Sequence, residues 1–176
     1  MAEQKKILLD CYQALIDEYS SIINSPVINS PLCSIYLKSL VINENNEKMR
    51  CGAIIFNAEF NKVLVVKNKS CQKWGFPKGG SDKNEDVISC AIREVKEETG
   101  LNLYNQGKFL DCIKLDKYFY LVVHMNEQTK FHIEDTEEIS EVKFVHITKI
   151  PSLYSNSNLK TFHRKYMSKE LRFKHS

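Results

Sequence analysis

A chain of 176 residues with 43% hydrophobic and 27% charged side chains has the make-up of one globular domain with its own core. No apolar run approaches the roughly 18 residues of a membrane span, which excludes a membrane-spanning role, and the opening "MAEQKKILLDCYQALIDEY" lacks the apolar stretch and small-residue cleavage site of a secretion signal. The net charge of +3 is uneven: from Pro151 to Ser176 there are six Lys/Arg and one acid, Glu170, so this segment carries +5 and the remainder −2. Such a distribution fits either a solvated helix face or an anionic partner.

In chain order, Leu8, Cys11, Tyr12, Leu15, Ile16, Tyr19 and Ile23 recur at helical spacing and predict an amphipathic helix over residues 4–23. Two Ser-Pro steps in "NSPVINSP" then bias the backbone away from helix, which marks a linker, and "NENNEKM" reads as a polar loop. "CGAIIF" and "KVLVVKN" are β-branched runs joined by "NAEFN", the pattern of a hairpin. "GFPKGGSDKNED" reads as a loop rich in Gly and Pro. A helix is predicted from about Asp82 or Asn84 to Thr99, with Asp82 and Glu85 as a capping pair and Gly100 at the stop position. Strands follow at "FLDCIKL", "YFYLVVHM" and "EVKFVHI", and "SNSN" is placed to cap a last helix running to about Phe173. This order predicts an α+β fold with a mixed sheet and not a regular βαβ repeat. The six cysteines (Cys11, Cys33, Cys51, Cys71, Cys90, Cys112) form no CxxC pair. They are expected to be reduced, mostly buried thiols that hold no zinc.

The chemistry is concentrated in "REVKEETG", Arg93 to Gly100. At about 100° per residue, Ile88, Ala91, Ile92 and Val95 make an apolar stripe that should face the sheet. Glu94, Glu97 and Glu98 fall on a second stripe roughly 120° away, so three carboxylates crowd one edge of the buried face with only Lys96 interposed. This is either a solvated acidic face or a set of hard oxygen ligands. The latter would suit Mg²⁺ or Mn²⁺, which keep several waters and take further oxygens from phosphates. Cys90, one turn before Glu94, is too soft a ligand to belong with them.

The spacing around this helix is more specific. Gly79 is followed by five residues and Glu85, then by seven residues and Arg93, Glu94, Val95, one residue, Glu97, Glu98, one residue, Gly100 and Leu101. All nine specified positions of the pattern G-x5-E-x7-R-E-U-x-E-E-x-G-U, with U apolar, are met; the chain thus resembles the Nudix hydrolases. That resemblance implies an α/β/α sandwich around a mixed sheet and hydrolysis of nucleoside diphosphates linked to another moiety. It implies Mg²⁺ or Mn²⁺ held by Glu94, Glu97 and Glu98, with help from the backbone carbonyl of Gly79. It also implies that Glu85 pairs with Arg93 to brace the loop against the helix. In such a site the ions bridge phosphate oxygens and lower the pKa of an attacking water.

Beyond the signature, "GAIIFN", "WGFPKG", "CAIREVKEETG" and the stretch from Phe119 to Pro151 are similar to the catalytic subunit family of the eukaryotic mRNA decapping enzyme. The likeness covers about Gly52 to Pro151. It implies capped RNA as substrate, a decapping activator subunit as partner and a cytoplasmic location. Glu138, in its "EIS" setting, would be a metal ligand or the general base for water, with Glu137 and Glu141 as neighbours to which the role could shift. Lys78 is a cation where polyphosphate must lie and is either an electrostatic catalyst or a solvated lysine. Trp74 and Phe76 are expected to pack the loop.

On the same likeness, Lys160, Arg164, Lys165 and Lys169 would hold the RNA body. The organisation expected is a helical segment and linker over 1–45, a catalytic domain over 46–154 and a basic helix over 155–176 within the same globular unit. Larger relatives carry an all-helical regulatory domain ahead of the catalytic fold, which binds the activator and supplies an aromatic residue for the cap. Here the region before "CGAIIF" is short and holds no tryptophan. Two other functions stay open. One is a small-molecule Nudix hydrolase acting on diphosphoinositol or dinucleoside polyphosphates. The other is a silent RNA-binding module, against which the complete set of repelling acids argues.

Overall fold

The computed structural model describes residues 49–83, 85–127 and 130–173. The helix expected over 4–23, its linker, Cys11, Cys33 and Lys174 lie outside the described residues.

Strand β1 (Arg50–Asn57) explains the architecture. Its run "CGAIIF" does not alternate with polar residues because the strand is buried on both faces. Cys51, Ala53 and Ile55 face one core with the residues of helix α1 (Val87–Thr99), while Ile54 and Phe56 face a second core with Phe76, Leu159 and Phe162. Leu159 and Phe162 belong to helix α3 (Ser157–Met167), so the sheet is sandwiched between α1 and α3.

Around β1 the sheet is mixed. Strand β2 (Lys62–Asn68) pairs with it antiparallel across the predicted hairpin, and β6 (Tyr118–Met125) pairs with it in parallel. Beyond these, β3 (Trp74–Gly75) and β7 (Ile139–His146) both pair antiparallel with β2, and β5 (Lys108–Leu115) with β6.

Three boundaries differ from expectation. The "GFPKGG" loop contains a short strand, β4 (Lys78–Gly80), paired antiparallel with β1 so that Gly52 lies opposite Lys78 and Cys51 opposite Gly79. Gly52 permits this approach: a Cβ there would come within 2.2 Å of the Pro77 carbonyl oxygen. Helix α1 begins at Val87, later than Asp82 or Asn84, because Asp86 is the cap and accepts from the Ile88 and Ser89 N–H groups. Asp82 and Glu85 do bond reciprocally, Asp82 N–H to Glu85 Oε2 at 2.9 Å and Glu85 N–H to Asp82 O at 3.2 Å, but they close a loop ahead of the helix.

Helix α3 stops at Met167 and does not continue to Phe173. Ser168 N–H caps its last carbonyls, Lys169 turns to a φ of 63°, and Phe173 folds back to stack near Phe56 and Tyr166. Two short elements carried no sequence signal, helix α2 (Leu103–Gln106) and a 3₁₀ turn (Ile147–Ser152). Of the described cysteines, Cys51, Cys90 and Cys112 are buried free thiols and Cys71 is exposed. Trp74 and Phe76 are buried in the second core, as packing residues. No helix among the described residues is long and apolar enough to cross a membrane.

Candidate active site

Helix α1 lies across β1 and β4, and its apolar stripe (Ile88, Ala91, Ile92, Val95) is buried against the sheet as its periodicity predicts. The acidic stripe consequently falls along β4 with graded burial. Glu98 is only 3% exposed, the Glu94 side chain 12% and the Glu97 side chain 40%. Glu98 Oε2 accepts from the Lys78 backbone N–H at 3.0 Å. Burial raises the Glu98 carboxyl to about 9, against the opposing pull of Lys78, with the Glu138 and Glu94 charges adding to the rise. Burial also raises Glu94, although Arg93 opposes it.

Arg93 makes the expected pair with Glu85 and is also a counter-ion of the acidic stripe. Its Nη1 donates to Glu94 Oε1 at 2.9 Å and Glu97 Oε2 at 3.0 Å. Its Nε and Nη2 grip the two oxygens of Glu85 at 2.9 and 2.8 Å, and Nη2 also reaches the Gly80 carbonyl at 3.0 Å. This fork clamps the loop to the helix and holds the Glu85 carboxyl below its usual range. Gly79 faces the same cluster: a Cβ there would sit 2.1 to 2.3 Å from the Glu94 carboxylate atoms.

These residues suit a hard divalent cation. The side-chain donors are all carboxylate oxygens, and the Glu98 carboxylate carries a desolvation penalty that a cation would offset. Among the described residues no three acidic, His or Cys side chains are already drawn into a coordination shell; Glu94 and Glu97 share the Arg93 Nη1 donor, and Glu98 is bonded to the Lys78 N–H.

Beside Glu98 opens a cleft of about 340 Å³, lined by Lys78, Glu98 and Glu138 together with Asn68, Lys73, Lys117, Tyr118, the α3 cap Asn156 and the first residues of α3, Ser157 and Asn158. Glu138 is exposed there, with Oε1 accepting from Asn68 Nδ2 at 3.2 Å and its backbone N–H bonded to Asp135 Oδ1 at 3.0 Å. Its neighbours stand elsewhere. Glu141 is paired with Lys67 at 2.7 Å on the β2–β7 ladder, and Glu137 is not part of the cleft lining.

The basic residues are more scattered than a single helix face would make them. Lys160 and Arg164 are exposed on α3, Arg164 lies 3.7 Å from Glu170, Lys165 is half-buried, and Lys169 lies past the helix end. Sequence reading missed Asn68, Lys73, Lys117 and Tyr118, which reach the cleft only through strand pairing.

A family profile for the NUDIX domain matches residues 47–169. The chain is 32% identical over 116 residues to the m7GpppN-mRNA hydrolase of Saccharomyces cerevisiae, a match spanning 63% of this chain and 12% of that protein. It is 32% identical over 111 residues to mRNA decapping complex subunit 2 of Schizosaccharomyces pombe, spanning 60% of this chain and 15% of that one. The chain thus spans less than a sixth of the length of either relative. Among solved structures, a Caenorhabditis elegans Ap4A hydrolase complex superposes with a TM-score of 0.56 over 69% of this chain and 97% of that one, at 18% identity, which is a likeness of fold.

Proposed function

The chain belongs to the NUDIX family, whose chemistry is pyrophosphate hydrolysis, and we propose that it removes the 5′ cap of mRNA, releasing 7-methylguanosine diphosphate and leaving RNA with a 5′ monophosphate. The observation that carries this proposal is the opposition of Glu98 and Glu138 in a lysine-lined cleft from which the basic helix α3 departs. The sequence likeness to proteins named as cap hydrolases supports the choice of substrate.

Glu94, Glu97 and Glu98, with the Gly79 carbonyl, would hold Mg²⁺ or Mn²⁺. Bound there, the ions supply phosphate charge neutralisation and an acidified water. The remaining work falls to the chain. Arg93 fixes Glu94 and Glu97 in place through Nη1. The Lys78 N–H orients Glu98, and the Lys78 ammonium faces the charge that develops on phosphate oxygen. Glu138, steered by Asn68, accepts the proton of the attacking water at its exposed carboxylate. Lys160 and Arg164 extend a phosphate-binding track along α3 for the RNA body. The expected location is the cytoplasm, and the expected partner, besides RNA, is an activator subunit.

A second function, hydrolysis of small polyphosphates, is favoured by Lys73, Lys78 and Lys117, which suit any phosphate chain. A parallel assay in Mg²⁺ separates the two. RNA labelled at the cap phosphate and a diphosphoinositol polyphosphate are offered at equal concentration. Release of 7-methylguanosine diphosphate from long RNA is the expected result. Turnover of the inositol compound alone would move the assignment to small substrates.

A further inference from the structure

Tyr118 stands among three positive charges. Lys78 Nζ lies 5.2 Å from its ring centroid, the Arg50 guanidinium carbon 5.8 Å and Lys117 Nζ 6.0 Å. Arg50 Nη1 also donates to the Tyr118 hydroxyl at 3.2 Å. Among the described residues, none of these three cations is in ion-pair contact with a carboxylate. The nearest acid in sequence, Asp116, turns to Asn158, whose Nδ2 donates to its Oδ2 at 3.2 Å. Asn158 is buried, so this bond ties the β5–β6 turn carrying Lys117 to the start of α3. A ring attracts each cation only weakly at a partly exposed site, and the three cations repel one another. Arg93 is held by direct ion pairs within an acidic cluster; around Tyr118 the cations are clustered without a direct ion pair among the described residues, with Glu98 pulling on Lys78 at longer range and Glu138 on the same cleft.

We propose that Arg50, Lys117 and Tyr118, together with Lys78, form an anion subsite for the part of the substrate's phosphate chain that lies beyond the acidic cluster. As part of the same proposal, a longer phosphate chain binds more tightly than pyrophosphate, since it offers more oxygens to the three cations. Lys78 links the two halves of the site, since its backbone N–H holds Glu98 while its ammonium lies over Tyr118. Tyr118 is a positioning residue that gathers the cations. The subsite rests on the assignment of pyrophosphate chemistry to this cleft, but not on the RNA being the substrate.

The test is binding of inorganic triphosphate to the full chain by titration calorimetry in a metal chelator, where hydrolysis plays no part. Arg50→Ala and Lys117→Ala should each weaken binding about tenfold, the typical loss for one contact to a charged group. Tyr118→Leu should do the same, and Tyr118→Phe, which keeps the ring, should lose less. Inorganic pyrophosphate should bind the unaltered protein about tenfold more weakly than triphosphate, having fewer oxygens to share among the cations. Lys149→Ala, on the exposed 3₁₀ turn away from the cleft lining, should change nothing. The proposal fails if the unaltered protein does not bind triphosphate in chelator, or if it binds pyrophosphate as tightly. It fails equally if Arg50→Ala and Lys117→Ala bind like the parent, or if Lys149→Ala weakens binding as much as they do. A chain that binds triphosphate as proposed but leaves capped RNA intact would retain the subsite and lose only the decapping assignment.

Discussion

Arg93 directs its five N–H donors into the neighbourhood of the acidic cluster, to Glu85, Glu94, Glu97 and the Gly80 carbonyl. This has a consequence for acid stability. The Glu85 carboxyl is held below its reference value of 4.5 chiefly by its bond to Arg93. A group with a depressed folded pKa contributes stability above the unfolded value and loses it as pH falls through the folded one. Glu85→Gln should therefore lower unfolding free energy by about 1–3 kcal/mol at neutral pH, with the deficit shrinking below about pH 4. Urea unfolding across pH checks this, and a deficit that persists unchanged into strong acid would contradict it.

Gly79 makes a different residue-scale case. The atoms a Cβ would strike there are the far end of the Glu94 side chain, which can swing away. Gly79→Ala should still fold, with a melting temperature lowered by a few degrees because Glu94 must leave its bond to Arg93, and should cut turnover by about 10²-fold, by displacing a carboxylate that the mechanism needs in place. Thermal unfolding and steady-state hydrolysis check the two halves, and an unfolded Gly79→Ala variant would overturn this reading of the glycine.

At the scale of elements, β4 is what brings the loop cation Lys78 beside the buried acid Glu98. Its pairing with β1 depends on Gly52, where a Cβ would meet backbone, the Pro77 carbonyl, at 2.2 Å. Backbone cannot swing aside as a side chain can, so Gly52→Ala should cost about 2 kcal/mol or more in stability, readable by chemical denaturation. A neutral Gly52→Ala would mean that β4 is not held there. The contrast between the two glycines was not legible in the sequence, which shows only a Gly/Pro-rich loop. Helix α1 was legible, because its apolar and acidic stripes are set by local periodicity; its start was not, because Asp82, Asn84 and Asp86 are all competent caps and the grip of Arg93 on Glu85 keeps that stretch in the loop. The end of α3 was hidden for a similar reason. Only tertiary packing of Phe173 against Phe56 and Tyr166 turns the chain back after Met167.

At the scale of the molecule, the sandwich places the start of one helix and the end of another on a common cleft: Asn156 to Asn158 open α3, and Glu98 lies near the close of α1. The acids on α1 could be found from sequence because they are close in the chain. Lys78 was named from the loop sequence, but its grouping with Arg50 and Lys117 could not be, since the three meet only through the pairing of β1 with β4 and β6. The sandwich also decides how the basic helix must be probed. Leu159 and Phe162 are fully buried, so removing α3 would open the second core and say little about RNA. Neutralising Lys160 and Arg164 to Gln instead should weaken RNA binding similarly across sequences and reduce the slope of log affinity against log salt by about 1 for each phosphate that is no longer neutralised. An unchanged slope would return those side chains to the role of a solvated face.

Whether the carboxylates of this cleft hydrolyse the pyrophosphate bridge of capped RNA is tested most directly by single-turnover hydrolysis. Cap-labelled RNA is offered in Mg²⁺ to the parent chain, Glu98→Gln and Glu138→Gln, and the released nucleotide is identified. The expected results are 7-methylguanosine diphosphate from the parent, none from a folded Glu98→Gln, and a rate lowered by roughly 10²-fold or more for Glu138→Gln. Cap release by Glu98→Gln at the parent's rate, or a Glu138→Gln variant altered in KM alone, would contradict the assignment.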